Sequence, residues 1–289
     1  MGRPDFWGRH GFERGDEIRA RSLGSVAYCR NGWNNSIDMP SSKTILVTGA
    51  AGALGRVAVK GLKAAGHRVW GLDLQDCPTC DRQFRGNLQD ESLAKAACEG
   101  VDTLIHLAAI PDDALFLDEL MPSNVGGLYQ ILTAAQFQGV SRLVIASSGQ
   151  VVWGTQQHGP WPISVTEPPR PRFWYALTKE FGEIAGQMFH REYGLDVLSV
   201  RLGACPRDRS HAVELEQNEV HRDVYFSPRD AARFFVAAVA AEPGFGYQIV
   251  YACSRPTLRM RYDLSPLKSL LGFEPEDRWP DYMEEYWED

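Results

Sequence analysis

The stretch Thr44–Gly55, Thr-Ile-Leu-Val-Thr-Gly-Ala-Ala-Gly-Ala-Leu-Gly, constrains the fold of this chain more than any other. Ile45, Leu46 and Val47 form a short continuous apolar run, the signature of a strand buried on both faces of a parallel sheet. Glycines follow at 49, 52 and 55, and Leu54, Val57, Ala58, Leu62 and Ala65 then recur at helical spacing. The order is therefore strand, glycine turn, helix. Glycines permit the tight turn and a close backbone approach, and the free N–H groups at the helix start can hold a pyrophosphate, aided by the positive end of the dipole. The next apolar segment, Arg68–Leu72, ends in Asp73. An acid about 20 residues past the turn accepts hydrogen bonds from ribose hydroxyls and repels a 2'-phosphate, so the spacing predicts NAD rather than NADP.

Strands and helices then alternate. A short third strand near Phe84 runs into Asn87 and Leu88, which fall near the adenine edge, and a helix over Leu93–Cys98 stops at Gly100. Thr103–Ala109 reads as a fourth buried strand, whose small residues Ala108 and Ala109 allow a cofactor to approach; His106 within it reads as a packed histidine. The spacing predicts a helix over Ser123–Gln138, opened by Asn124, then a fifth strand from Arg142 running into Ser147 and Ser148. Hydroxyls at the carboxyl end of a strand stand where ligands bind in open α/β sheets. The proline-rich segment from Pro160 to Pro171 reads as a loop on the rim of the site. A helix from Phe173 to Tyr193 stops at Gly194, Leu195–Leu202 is a sixth strand, Pro228–Ala241 is a helix capped by Ser227, Tyr247–Ala252 is a last strand, and a short helix ends near Gly272. This alternation predicts an α/β fold, a Rossmann-type doubly wound parallel sheet. A small C-terminal substrate lobe is expected from residues 204–227 and 253–289, with the core domain spanning 39–289. Residues 1–38 lack sustained periodicity and read as a loose extension, with Met39 as an alternative start.

Composition narrows the partners. A net charge of −7 leaves no basic field for nucleic acid. No apolar run approaches the roughly 18 residues that span a bilayer, and the N-terminus lacks the apolar centre of a secretory signal, so a cytoplasmic location is expected. The 6 cysteines are scattered, which argues against a disulfide framework. Cys77-Pro-Thr-Cys80 is the one close pair, and no second pair completes a zinc site, so no metal is expected.

Tyr175 and Lys179 share one helix face four residues apart. A phenol with a pKa near 10 is a poor base, and a nearby ammonium favours its ionised form. Lysine can also donate to the nicotinamide ribose, while a serine hydroxyl holds the reacting oxygen, so the trio supports hydride transfer at a carbinol or carbonyl.

Taken with Thr48–Gly55, Asp73, Gly86-Asn-Leu88, His106-Leu-Ala-Ala109, Asn124, Ser147-Ser148 and Arg201-Leu-Gly203, the Tyr175–Lys179 pair makes the chain resemble the extended short-chain dehydrogenase/reductase family, the NAD-dependent epimerase/dehydratases. Within it, the chain is most similar to compact uronate dehydrogenases, which oxidise a hexuronic acid at its anomeric carbon. The resemblance implies a cofactor site of Gly49, Ala51, Gly52, Ala53, Leu54, Gly55, Asp73, Asn87, Leu88, Leu107, Ala108, Ala109, Asn124, Tyr175 and Lys179. Tyr175 is implied as acid/base, Lys179 as its activator, and Ser148 as the hydroxyl that orients substrate, with Ser147, Gly149 and Gln150 alongside. The chain departs from the uronate pattern at Gly149, Gln150 and Ala204. An NAD-linked sugar epimerase, or an idle relative that keeps the fold, is the alternative to a dehydrogenase. An anionic sugar calls for an arginine fork, and Arg222, just before Ser227-Pro-Arg-Asp230, is the candidate. A small sugar-type substrate and possible homo-oligomerisation complete the expectation.

Overall fold

The computed structural model describes residues 42–287. The expected extension over residues 1–38 and the alternative start at Met39 lie outside the described residues. Seven parallel strands form one sheet in the order β3-β2-β1-β4-β5-β6-β7. They are β1 (Thr44–Thr48), β2 (Arg68–Asp73), β3 (Arg82–Arg85), β4 (Thr103–His106), β5 (Arg142–Ser148), β6 (Asp196–Leu202) and β7 (Tyr247–Ala252). The order reverses between β1 and β4, and a crevice opens at the carboxyl ends of strands flanking such a reversal.

The period-2 alternation of β1 decides the two cores. Ile45 and Val47 point to one face, where α1 (Ala53–Ala64), α8 (Pro228–Ala240) and α9 (Ser265–Leu271) supply Val57, Leu62, Phe234, Phe235 and Leu267. Leu46 points to the other, beneath α2 (Glu91–Cys98), α3 (Gly127–Phe137) and α5 (Trp174–Tyr193), with Ala94, Leu128, Ile131 and Phe189. Side chains of this size are each worth about 1.5–3 kcal/mol on full burial, so burial is a large part of what holds both layers. Caps set the boundaries. Asp90 accepts from the Leu93 N–H at the start of α2, Ser227 from the Asp230 N–H at the start of α8, and Gly194 closes α5 in the left-handed conformation.

Four expectations are corrected. β4 ends at His106 rather than Ala109, because β1 turns away at Gly49 and the Ala108 N–H is taken by the Thr48 hydroxyl at 3.3 Å. The helix expected from Ser123 begins instead at Phe116 as wide π-type turns through Gly126 before α3. Pro122 inside it cannot donate and clashes with the preceding turn, which widens the winding. Asn124 therefore lies within the helical segment and does not open it. The proline-rich loop does not form the rim: Ile163 pairs with Tyr262, and the loop underlies the C-terminal segment. Local periodicity also missed the short helices α4 (Trp153–His158), α6 (Arg209–Glu216) and α7 (Glu219–Asp223).

Candidate active site

A cleft of about 490 Å³ opens at the carboxyl ends of β1, β4, β5 and β6. Its floor is the glycine turn. Gly49 has φ +70°, and a Cβ there would meet the Ala108 N at 2.8 Å; a Cβ at Gly55 would meet the Gly49 carbonyl at 2.0 Å. These two positions draw the turn against β4 and α1 against the turn. Gly52, Ala53, Leu54 and Gly55 line the cleft, and the first-turn N–H groups of α1 have no acceptor within the helix. Such donors at a helix start, with no Cβ beside them at Gly52, fit a pyrophosphate. Asp73 lies just beyond: its carboxylate accepts from the N–H groups of Ala51 and Gln75, both at 3.0 Å, which holds it at the edge of the turn. Asn87 closes its own turn by accepting from the Gln89 N–H, and Leu88 packs on the core face beside Gly127, so both lie along the same edge outside the cleft lining. Leu107 and Ala109 line the cleft, while Ala108 packs on Gly49.

The chemical groups converge from β5 and α5. Ser148 closes the strand, and its Oγ accepts from the Gln150 N–H at 3.1 Å and shares a hydrogen bond with Tyr175. Lys179 Nζ lies 5.5 Å from the Tyr175 ring centroid and donates to the Ala146 carbonyl at 3.1 Å. The expected lowering of the phenol is not found. Burial, and next the Asp112 carboxylate, hold Tyr175 above its ordinary range against the opposing pull of Ser148 and Arg207. Burial also brings Lys179 down to about 8, which weakens the ammonium as an activator. His106 is packed, as expected. Its Nδ1 lies 2.8 Å from the Thr48 hydroxyl, and burial, then Lys179, lowers it to about 3.

Ser147 lines the cleft, and its hydroxyl donates to Glu183 at 2.6 Å, which ties this end of β5 to α5. Two other sequence-derived site residues face elsewhere. Asn124 accepts from the Ile110 N–H at 2.8 Å and donates to the Ile110 carbonyl and to Thr178, which fixes the backbone beside the cleft. Arg222 lies outside the lining, with its guanidinium on the Glu216 carbonyl. Gly149 and Gln150 do line the cleft. A Cβ at Gly149 would meet the Tyr262 Oη at 1.9 Å, so this phenol occupies the space that a side chain there would need.

The far end of the cleft carries groups that periodicity does not mark: Asp112, Arg207, His211, Gln156 and His221. Arg207 Nη1 pairs with Asp112 Oδ2 at 2.6 Å, and Gln150 Nε2 lies 3.4 Å from Asp112 Oδ1. Asp112 has φ +61°, uncommon for a residue with a side chain. Its signal in the sequence is the acid doublet Asp112-Asp113 in the segment that follows the fourth strand, at the edge where ligands bind.

A seven-stranded sheet with this switch point, glycine turn and Tyr–Lys–Ser cluster defines a nucleotide-linked α/β enzyme class. The model of the NAD dependent epimerase/dehydratase family matches residues 45–205, and the chain belongs to that family. Its cofactor is NAD. The chain is 33% identical over 211 residues to the L-arabinose 1-dehydrogenase (NAD(P)(+)) of Haloferax volcanii, covering 68% of this chain and 82% of that one. It is 28% identical over 220 residues to a uronate dehydrogenase of Pseudomonas syringae pv. tomato, covering 73% and 74%. The solved uronate dehydrogenase of Agrobacterium tumefaciens superposes with a TM-score of 0.68 at 28% identity, over 82% of this chain and 85% of that one.

Proposed function

We propose that the chain is an NAD-dependent dehydrogenase that oxidises a small, uncharged aldose at its anomeric carbon. One observation carries the dehydrogenase reading: Tyr175, Ser148 and Lys179 meet in the same cleft as the glycine turn. Bound NAD would supply the hydride acceptor. Ser148 orients the reacting hydroxyl, Tyr175 exchanges its proton, and Lys179 is the donor for the nicotinamide ribose. The segment 204–227 forms the substrate side: Ala204, Cys205, Arg207, His211, Leu215, His221 and Val224 face the cleft, joined from the later segment by Tyr262. Outside the cleft, the exposed apolar stripe of α5 fits a second copy of the chain.

The charge balance of the far end supports a neutral sugar. Arg207 is already neutralised by Asp112. Burial lowers His211 and His221, so both stand uncharged at pH 7. A hexuronate would bring its carboxylate against Asp112 or have to displace it from Arg207, and like charges at close quarters cost affinity. Sugar hydroxyls instead donate to the carboxylate and accept from the guanidinium. The names of the relatives include both a neutral pentose and uronates.

NADH formation with matched aldoses and hexuronates tests this. The neutral sugar is expected to have the higher kcat/KM, by about tenfold or more, corresponding to ~1.4 kcal/mol. Asp112→Asn, which releases Arg207, is expected to move that ratio toward the uronate. A wild-type preference for the uronate would overturn the neutral-sugar reading, and no NADH with any sugar would overturn the dehydrogenase reading.

A further inference from the structure

The Cys77-Pro-Thr-Cys80 segment takes no part in the chemistry above, yet it lies directly beneath the cofactor turn. The Cys80 N–H donates to the Cys77 carbonyl at 3.1 Å, forming a turn in which the two Sγ atoms lie 3.1 Å apart. Cys77 Sγ donates to the carbonyl of Ala50, inside the glycine turn, at 3.4 Å. On the other side, a Cβ at Gly71 of β2 would meet Cys80 Sγ at 2.5 Å and the Ala50 Cβ at 3.0 Å. Thiols, strand and turn are therefore packed without slack. The next residue along the turn, Ala51, donates its N–H to Asp73.

The arrangement is not that of a metal site. Among the described residues no group of three or more His, Cys, Asp or Glu could hold an ion. Two sulfurs without a third ligand are suited to oxidation.

We propose that Cys77 and Cys80 are a reversible dithiol–disulfide site, and that its oxidation by a peroxide weakens NAD binding. A disulfide needs the sulfurs about 2.05 Å apart, so closure moves them by about 1 Å from their present separation. Each thiol gives up one proton and one electron, the S–S bond forms, and the peroxide O–O bond breaks with hydrogen peroxide reduced to two waters. The Ala50 carbonyl loses its S–H donor in the same event. Cys77 is buried, Cys80 is half-buried, and oxidant enters from the Cys80 side. Burial holds the Cys80 thiol well above its ordinary range. Thiolate is the reactive form, so oxidation is slow at neutral pH and faster at alkaline pH.

The test uses the full chain, reduced with dithiothreitol or incubated with hydrogen peroxide and desalted. NAD affinity is read by fluorescence titration, and the peptide holding both cysteines is read by mass spectrometry. The expected result is a peptide lighter by two hydrogens and an NAD affinity weaker by about fivefold, the scale of one lost hydrogen bond, both reversed by dithiothreitol. Cys80→Ser should bind NAD like the reduced protein and ignore peroxide. Cys205 lines the cleft and can also be oxidised. If Cys80→Ser weakens as the wild type does, the effect belongs to another thiol, such as Cys205, and the proposal falls. It also falls if the cross-link forms without a change in affinity, or if no cross-link forms. Should Cys80→Ser fold poorly, Cys80→Ala serves the same purpose, since it removes one sulfur and keeps the Cys77 donor to the Ala50 carbonyl. Reduced protein that does not bind NAD would instead count against the cofactor site itself, which separates the two readings.

Discussion

Tyr175 is held in a state opposite to the one that a four-residue spacing to lysine suggests. Burial and Asp112 hold the phenol above its ordinary range, opposed by Ser148 and Arg207, while burial brings Lys179 down to about 8. In the proposed sugar oxidation the phenol is the group that would accept the proton. Tyr175→Phe is expected to keep NAD affinity and thermal stability while losing turnover by about a hundredfold or more, as removal of an acid/base does. Stopped-flow or steady-state NADH formation reads the loss, and near wild-type turnover would remove Tyr175 from the chemistry. Gly149 is a second residue-scale lesson: it is glycine because Tyr262 Oη stands where a side chain would go. Nothing local in Ser-Ser-Gly-Gln announces a partner so distant in sequence.

Helix α5 bears on the site with one face and on the surface with the other. Tyr175, Lys179 and Glu183 recur every four residues along the inner one. Glu183 takes both Nε and Nη2 of the buried Arg201 of β6, at 2.8 and 2.9 Å, and accepts from Ser147 of β5 at 2.6 Å. This network fixes the height of α5 against two strands, and with it the position of Tyr175. Glu183→Gln leaves Arg201 buried without its counter-charge, and breaking a buried pair costs about 3–5 kcal/mol. Urea unfolding of the variant should show a loss of that size. A loss within experimental error would mean that packing alone sets the helix.

Across the whole molecule, the outer face of α5 is apolar. Trp174, Leu177, Phe181, Ile184 and Met188 are exposed at spacings of three and four. The Phe116–Trp174 ring contact, with centroids 4.8 Å apart, joins this face to the segment bearing exposed Leu117 and Met121. A contiguous apolar stripe on the surface marks an interaction site. The proposal of a homo-oligomer rests on this face, because burying it against itself needs no other partner. Light scattering is expected to show a dimer or larger species for the wild type and a monomer for the Phe181→Glu, Ile184→Glu double variant. A monomeric wild type would leave the stripe for another protein.

The sequence by itself determined the architecture and the cofactor. Buried runs such as Ile45–Val47, the glycine turn, Asp73 and the Tyr175–Lys179 spacing are local patterns, and each is dictated by backbone geometry or by the periods 2 and 3.6. The substrate end was decided only by tertiary structure. Asp112 from the segment after β4, Arg207 and His211 from the segment after β6, and Tyr262 from near the C-terminus share one cleft through folding. Their ion pairs and burial, and therefore their charges, arise from neighbours far away in the chain. The same reason turned Arg222 away from the cleft: a residue type and its spacing establish what a side chain can do, while long-range packing establishes what it faces.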